Sequence, residues 1–238
     1  MKKAIITYNF GAYEEMPDIL WKQENWDMFC FTDNAENKHI TIPKDWHKLV
    51  LKSTDKIPHI NDNLKQSKRL SNYAKFQPFK LLKEAVGEYD LIVVADANFQ
   101  LSNDLDEACE RLLLATSDAC FMSHPNIKSC YEDIDLAVKL GKVDSEVAEF
   151  SKKMFREASA LEVDENYCQT GFSIRRNTSG WKHFEHIWWE AYMQLCSRDQ
   201  PVFNALLSKF PVLDLTIVPK AEIDPYMKYT NHSFEEIT

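Results

Sequence analysis

The amino-acid sequence predicts an α/β fold, a sandwich with a mainly parallel central sheet. Three observations predict it. Short apolar runs recur along the chain, helical patterns lie between them, and no Pro/Gly/Ser-rich linker divides the 238 residues. The runs are KAIITY (3–8), DMFCFT (27–32), HKLVL (47–51), YDLIVVA (89–95), DACFMS (118–123), GFSIRR (171–176) and VLDLTIV (212–218). Several are almost wholly apolar, the pattern of strands covered on both faces.

The intervening segments read as helices. DNLKQSKRLSNYAKFQPFKLLKEAV carries apolar residues at three- and four-residue steps, and Pro78 should kink or break it. DLDEACERLLLA opens with acids, which suits the positive end of a helix dipole. SEVAEFSKKMFREA, WKHFEHIWWEAYMQLC and DQPVFNALLSKF follow, and His183 and His186, beside Trp188 and Trp189, read as part of a packed helix. The tail KAEIDPYMKYTNHSFEEIT has no firm periodicity.

Composition narrows the class. With 45% hydrophobic residues the chain can bury one sizeable core. A net charge of −9 argues against a general nucleic-acid binder, which needs a basic surface to replace phosphate counterions. A local cluster of Lys and Arg would still suffice for an anionic small ligand. MKKAIITYNF reads as a first strand, because its apolar stretch is shorter than the ~7–15 residues of a signal-peptide core. No window approaches the ~18 apolar residues of a membrane span. The expectation is a cytoplasmic protein without a transmembrane segment, with peripheral membrane contact left open. The six cysteines show no C-x-x-C pair and no Cys/His ligand spacing, so they read as reduced thiols.

Parallel α/β sheets place ligands beyond the carboxyl ends of their strands. Here those ends read TYNFGAYE, TDN and DANFQ, all polar. Neither G-x-G-x-x-G nor G-x-x-x-x-G-K-[ST] occurs, so a bound nucleotide would need another source of positive charge. A hard divalent ion, Mn²⁺ or Mg²⁺, takes oxygen ligands and often only one or two from the protein. Asp96 and Asn98 flank the small Ala97, and residues i and i+2 of an extended segment project to one side. Asp and Asn are equally at home in a turn, so spacing alone leaves both readings open.

The blocks CFTDN (30–34), RLSNYAKFQP (69–78), YDLIVVADANFQL (89–101), SHPNIKSCYEDI (123–134), TGFSIRRN (170–177) and RDQPVF (198–203) occur in one order. In that order the chain resembles a GT-A-type glycosyltransferase, in particular the glycosyltransferase-like family of bacterial polysaccharide loci and plant mucilage-related proteins. The resemblance implies a GT-A-like (Rossmann-like) α/β/α sandwich forming a single domain over 1–238. Its nucleotide-binding half would span 1–100, its acceptor half 101–218, and a C-terminal tail 219–238.

The activity implied is metal-dependent transfer of a sugar from a UDP- or GDP-sugar to a saccharide or glycoconjugate acceptor, in surface polysaccharide biosynthesis. Tyr8, Asp33, Arg69, Lys75, Asp96 and Ala97 would contact the donor, with Asp33 at the nucleobase edge. Asp96, Asn98 and His232 would hold Mn²⁺ or Mg²⁺, the histidine compensating for a neutral Asn98 where the family's second Asp usually stands. His124, Glu132, Gly171 and Phe172 would line the acceptor side, Gly171 allowing close approach of a sugar. Asp199 and Gln200 would face the anomeric carbon, Asp199 as base for the acceptor hydroxyl.

Each role has a plain structural competitor. Arg69 and Lys75, six residues apart, lie ~120° apart around a helix, so Arg69 with Asn72, or Asn72 with Lys75, are better-matched neighbours. That basic stretch, with Lys65 and Lys68, could equally be a solvated helix face. Asp199 could be a helix N-cap. Two other classes stay in view: a non-catalytic sugar-nucleotide or glycan-binding module, and a hydrolase or phosphotransferase with a Mg²⁺ site at Asp96.

Overall fold

The computed structural model describes residues 1–11, 15–33, 42–52, 63–195 and 198–230; of residues 63–65 it describes the backbone only. In chain order the elements are β1 (Lys3–Tyr8), β2 (Asp27–Thr32), β3 (His47–Val50), α1 (Asn63–Phe76), α2 (Pro78–Ala85), β4 (Leu91–Ala95), β5 (Phe99–Leu101) and α3 (Leu105–Leu112). Then come β6 (Ala119–Ser123), α4 (Cys130–Lys139), α5 (Ser145–Glu157), β7 (Cys168–Arg176), α6 (Ser179–Gln194), α7 (Asp199–Leu207), β8 (Leu215–Val218), α8 (Lys220–Ile223) and β9 (Met227–Tyr229). Seven strands form one sheet in the order β3-β2-β1-β4-β7-β6-β8, while β5 and β9 pair as a separate ribbon. The α/β/α sandwich expected from the sequence is the one observed.

The sheet is mainly parallel, with one reversal. The β1·β2, β1·β4, β2·β3 and β6·β8 pairs are parallel, whereas β7 runs antiparallel to both β4 and β6. One edge of the sheet therefore collects the carboxyl ends of six strands and the beginning of β7. The β6–β7 register also shifts between Phe121, opposite Ser173, and Met122, opposite Gln169. Residues 170–172 are the extra segment of that bulge, which steps them out of the β6 ladder at this edge.

The period-2 alternation of the strands sorts side chains into two cores. Ala4, Ile6, Phe29, Phe31, Ile92 and Val94 face the layer of α1, α2 and α4–α7. Ile5, Met28, Cys30, Leu91, Val93 and Ala95 face the opposite layer, with residues of α3 and the β5–β9 ribbon. Both faces are covered, which explains the lack of polar alternation in these strands.

Helix ends follow local chemistry. The long basic segment breaks as expected, α1 ending at Phe76 and Pro78 opening α2. Asp104 caps α3, its carboxylate accepting from Asp106 N at 2.8 Å. Ser129 caps α4, accepting from Glu132 N at 3.1 Å, while the Glu132 carboxylate accepts from Lys128 N at 2.8 Å. The S-x-x-E pattern is that of a capping box, with the carboxylate here taking the N–H one residue before the cap, and it marks a helix that the periodicity reading passes over. The ribbon strand β9 and the short α8 lie in the segment read as aperiodic.

Candidate functional site

The strand parities determine which side chains meet at the polar edge. Residues 4, 6 and 8 of β1 face α1, as do 92 and 94 of β4, and Ile6 pairs with Val94. Two residues further along each strand, Tyr8 and Asp96 come into contact, and the Tyr8 hydroxyl donates to Asp96 Oδ1. Gly171 precedes Phe172, the partner of Ala95, and its carbonyl accepts from Asp96 N at 2.8 Å. A Cβ on Gly171 would lie 3.0 Å from Asp96 Oδ2, so the absence of a side chain there is what lets the carboxylate sit as it does.

Lys75, in the last turn of α1, enters this cluster from above. Its ammonium lies 2.6 Å from Asp199 Oδ2 and 3.2 Å from Asp96 Oδ1, and 5.7 Å from the centre of the Tyr8 ring. Asp199 Oδ2 also accepts from Thr170 Oγ1 at 2.6 Å. Asp199 is the first residue of α7, with Arg198 in the N-cap position, so its carboxylate serves the cluster and does not cap the helix. Lys75 is 5% exposed, whereas the Asp96 side chain keeps 37% exposure and presents the accessible edge of the cluster.

The electrostatics follow from this packing. Burial works against the Lys75 ammonium, but Asp199 and then Asp96 outweigh it and hold its pKa well above the ordinary value. Burial pushes Asp199 up, yet Lys75 and then Arg198 hold it far below the usual carboxylate range. Burial raises Asp96 against the pull of Lys75 and the Tyr8 hydroxyl, and its residual exposure tempers that rise. Tyr8 is pushed well above its usual value by burial and by Asp96, so it remains a proton donor.

A second polar group lies beside the first. Asp133 of α4, 2% exposed, accepts from the Tyr167 hydroxyl at 2.8 Å and from Gln200 Nε2 at 2.6 Å, with Arg198 3.6 Å away. Gln200 is thus held by Asp133, one residue from the Lys75 partner Asp199. Asp133 is absent from the sequence-based candidates. Its helical spacing from Cys130 and Ala137 places it on the buried face of α4, and a buried acid there is the signal that could have found it.

Beyond α1 the same edge opens into a cleft of ≈ 420 Å³. It is lined by Gly11 after β1, Asp33 after β2, Leu51 and Lys52 after β3, and Gln66, Ser67 and Leu70 of α1. Gly11 has φ +67° and a Cβ there would meet Ser67 Oγ at 2.7 Å, so only glycine lets this loop approach the helix. Asp33 Oδ2 accepts from Gly11 N at 3.0 Å, while the buried Oδ1 has no hydrogen-bond partner. Lys68 and Lys75 differ by seven residues, ~20° short of two turns and ~10 Å along the axis. They form one stripe leading from the cleft to Asp96.

The structure brings Tyr8, Lys75, Asp96, Gly171 and Asp199 together and sets Asp33 at the neighbouring cleft. Ala97 is buried beside Asp96, and Arg69 is off the Lys75 stripe and partly exposed. Phe172 is buried in the opposite core, 6.3 Å from Phe99. His124 Nδ1 accepts from the backbone N–H groups of Asn126 (3.2 Å) and Ile127 (2.8 Å), and burial lowers its pKa. Glu132 is exposed and engaged at the α4 cap. His232 lies outside the described residues.

Of the expected metal ligands Asp96, Asn98 and His232, the described residues include the first two. Asn98 is 2% exposed and its carboxamide nitrogen donates to Thr230 O at 3.3 Å, fixing the chain after β9 to the β5 edge. Asp96 Oδ1 is engaged by Tyr8 and Lys75. Among the described residues, no group of three or more His, Cys, Asp or Glu side chains converges on a cation position. The cation between Asp96 and Asp199 is the lysine itself.

No protein-family model matches the chain, and no curated protein matches it. Among solved structures it is similar to one described as the apo structure of the bifunctional glycosyltransferase WbbM, at 12% identity and a TM-score of 0.47. That similarity covers 90% of this chain and 38% of the WbbM chain. No helix among the described residues is long and apolar enough to cross a membrane.

Proposed function

We propose that the chain is a glycosyltransferase that moves a sugar from a nucleoside-diphosphate donor to a saccharide or glycoconjugate acceptor, in surface polysaccharide assembly. The observation that carries this reading is the Tyr8–Asp96–Lys75–Asp199–Thr170 cluster at the carboxyl edge of the sheet. It is joined by the Lys68–Lys75 stripe to the cleft at Asp33. A base in the cleft would lie beside the Asp33 carboxylate, which can accept a ring N–H or an exocyclic amine. The diphosphate would lie along α1, and the sugar beside Asp96 Oδ2 and Gly171, where no side chain intrudes.

In the reaction the bond from the anomeric carbon to the diphosphate oxygen breaks, its electron pair passing to the diphosphate. The acceptor hydroxyl oxygen bonds to that carbon, and its proton passes to an oxygen of the departing diphosphate. Fixed positive charge near the leaving group lowers the barrier because charge accumulates there. Asp96 would orient donor hydroxyls through Oδ2 while Tyr8 holds Oδ1. Asp199, bound by an ammonium and a hydroxyl, is too weak a base to take the acceptor proton; its role is to position Lys75.

The test is release of UDP or GDP from a panel of UDP- and GDP-sugars, with saccharide acceptors, by wild type and Asp96→Ala. The reading expects turnover that the variant loses. Binding of nucleotide sugars without any turnover would favour a binding module, and absence of binding would remove the donor reading altogether.

A further inference from the structure

The expected divalent cation and the observed lysine share one partner, the Asp96 carboxylate. Lys75 Nζ lies between two carboxylates, 2.6 Å from Asp199 and 3.2 Å from Asp96. It is no mobile surface lysine. The side chain is 6% exposed, it leaves α1 in the last helical turn, and the Lys75 carbonyl accepts from Arg175 Nη1 at 2.7 Å. Arg175 is itself fully buried, bonded to Glu185 at 3.0 Å and to Ser173 Oγ at 2.8 Å. An ion entering between Asp96 and Asp199 would have to expel an anchored ammonium or sit against it, and like charges at such separations repel strongly.

We infer that the Lys75 ammonium takes the place of the divalent metal in this site, so that the nucleoside diphosphate binds without one. The inference rests on the donor reading above and deepens it. An ammonium has three N–H donors. Two point to Asp199 and Asp96, which leaves one for a phosphate oxygen. Arg198 lies beside Asp199 and 3.6 Å from Asp133, and Lys68 stands on the same stripe of α1.

Calorimetric titration of the whole chain with UDP and GDP, in EDTA and in Mn²⁺, tests this. The expected result is an affinity for one of them that changes less than about fivefold between the two conditions, and no Mn²⁺ signal change by electron paramagnetic resonance when wild type is added. Lys75→Met should lose on the order of tenfold or more in EDTA while keeping its affinity for the free nucleoside, and should acquire Mn²⁺ binding between the vacated carboxylates. Diphosphate binding by wild type that requires Mn²⁺ overturns the inference and leaves the donor reading intact. Failure of both UDP and GDP to bind in either condition overturns both. The wild-type titrations decide the matter even where Lys75→Met does not fold.

Discussion

Arg175 is the residue beneath the site whose removal should be felt most. Its guanidinium is fully buried, donates to Lys75 O, Glu185 Oε1 and Ser173 Oγ, and lies 5.6–5.8 Å from the rings of Phe121, Trp181 and Trp188. One terminal nitrogen has no hydrogen-bond partner, and those ring faces take its place. Glu185, 2% exposed, also accepts from Trp181 Nε1 at 2.7 Å. Arg175→Met therefore strands a buried carboxylate and strips the last turn of α1 of its carbonyl partner.

Breaking a buried pair from one side costs about 3–5 kcal/mol, and the apolar contacts of Met offset roughly 1 kcal/mol of lost neutral hydrogen bonds. A loss of about 4 kcal/mol at pH 8 is expected, within a total stability of about 5–15 kcal/mol. Burial pushes Glu185 up to about 7, with Arg175 pulling against it. A carboxyl raised above its ordinary value binds its proton more tightly in the folded chain. Its contribution is thus fully present below about 4.5 and lost as pH rises through about 7. Without Arg175 the carboxyl rises further, so the penalty of Arg175→Met should be larger at pH 8 than at pH 6, by up to ~1.4 kcal/mol per unit. Urea unfolding of wild type, Arg175→Met, Glu185→Gln and the double variant at both pH values measures this. The double variant removes both charges and should recover about 2 kcal/mol or more relative to additivity. A single-variant cost below about 1 kcal/mol, or strict additivity, would refute the buried-pair account.

Gly171→Ala should cost about 1 kcal/mol in urea unfolding but reduce sugar-nucleotide turnover on the order of tenfold, because its Cβ displaces Asp96 Oδ2 from a 3.0 Å approach. Unchanged turnover would mean that Asp96 need not hold its place. Asp33→Ala should weaken binding of the free nucleoside by about tenfold, measured calorimetrically, with the melting temperature little changed; full affinity in that variant would move the base elsewhere. Ser129→Ala should lower stability by about 1 kcal/mol without altering nucleotide affinity, as loss of the α4 cap requires. A change in affinity there would show that α4 reaches the donor.

By itself the sequence determined the layers. Apolar runs of six or so residues, separated by helical periodicity, leave a covered sheet as the arrangement that buries them, and Pro78 enforces a break because it cannot donate. The capping box at Ser129 and Glu132 was written there too, though it is easily taken for a site motif. Only the tertiary structure decided the rest. That Tyr8 and Asp96 share a face came from it, because β1 and β4 are covered on both faces and only their pairing sends the even-numbered positions of both to α1. Lys75 and Asp199 are 124 residues apart, and no local pattern states that the last turn of one helix meets the first turn of another. The single reversed strand and its bulge carry Thr170 and Gly171 to the edge where six strands end, a consequence of pairing partners rather than of composition. By spacing Asn98 fits a ligand or a turn equally, and only the pairing of the three-residue β5 with β9 shows where its carboxamide nitrogen goes, to Thr230 O. Spacing along the chain says which side chains can point together. Which cation stands between them depends on what the fold brings from elsewhere, and here it brings a lysine.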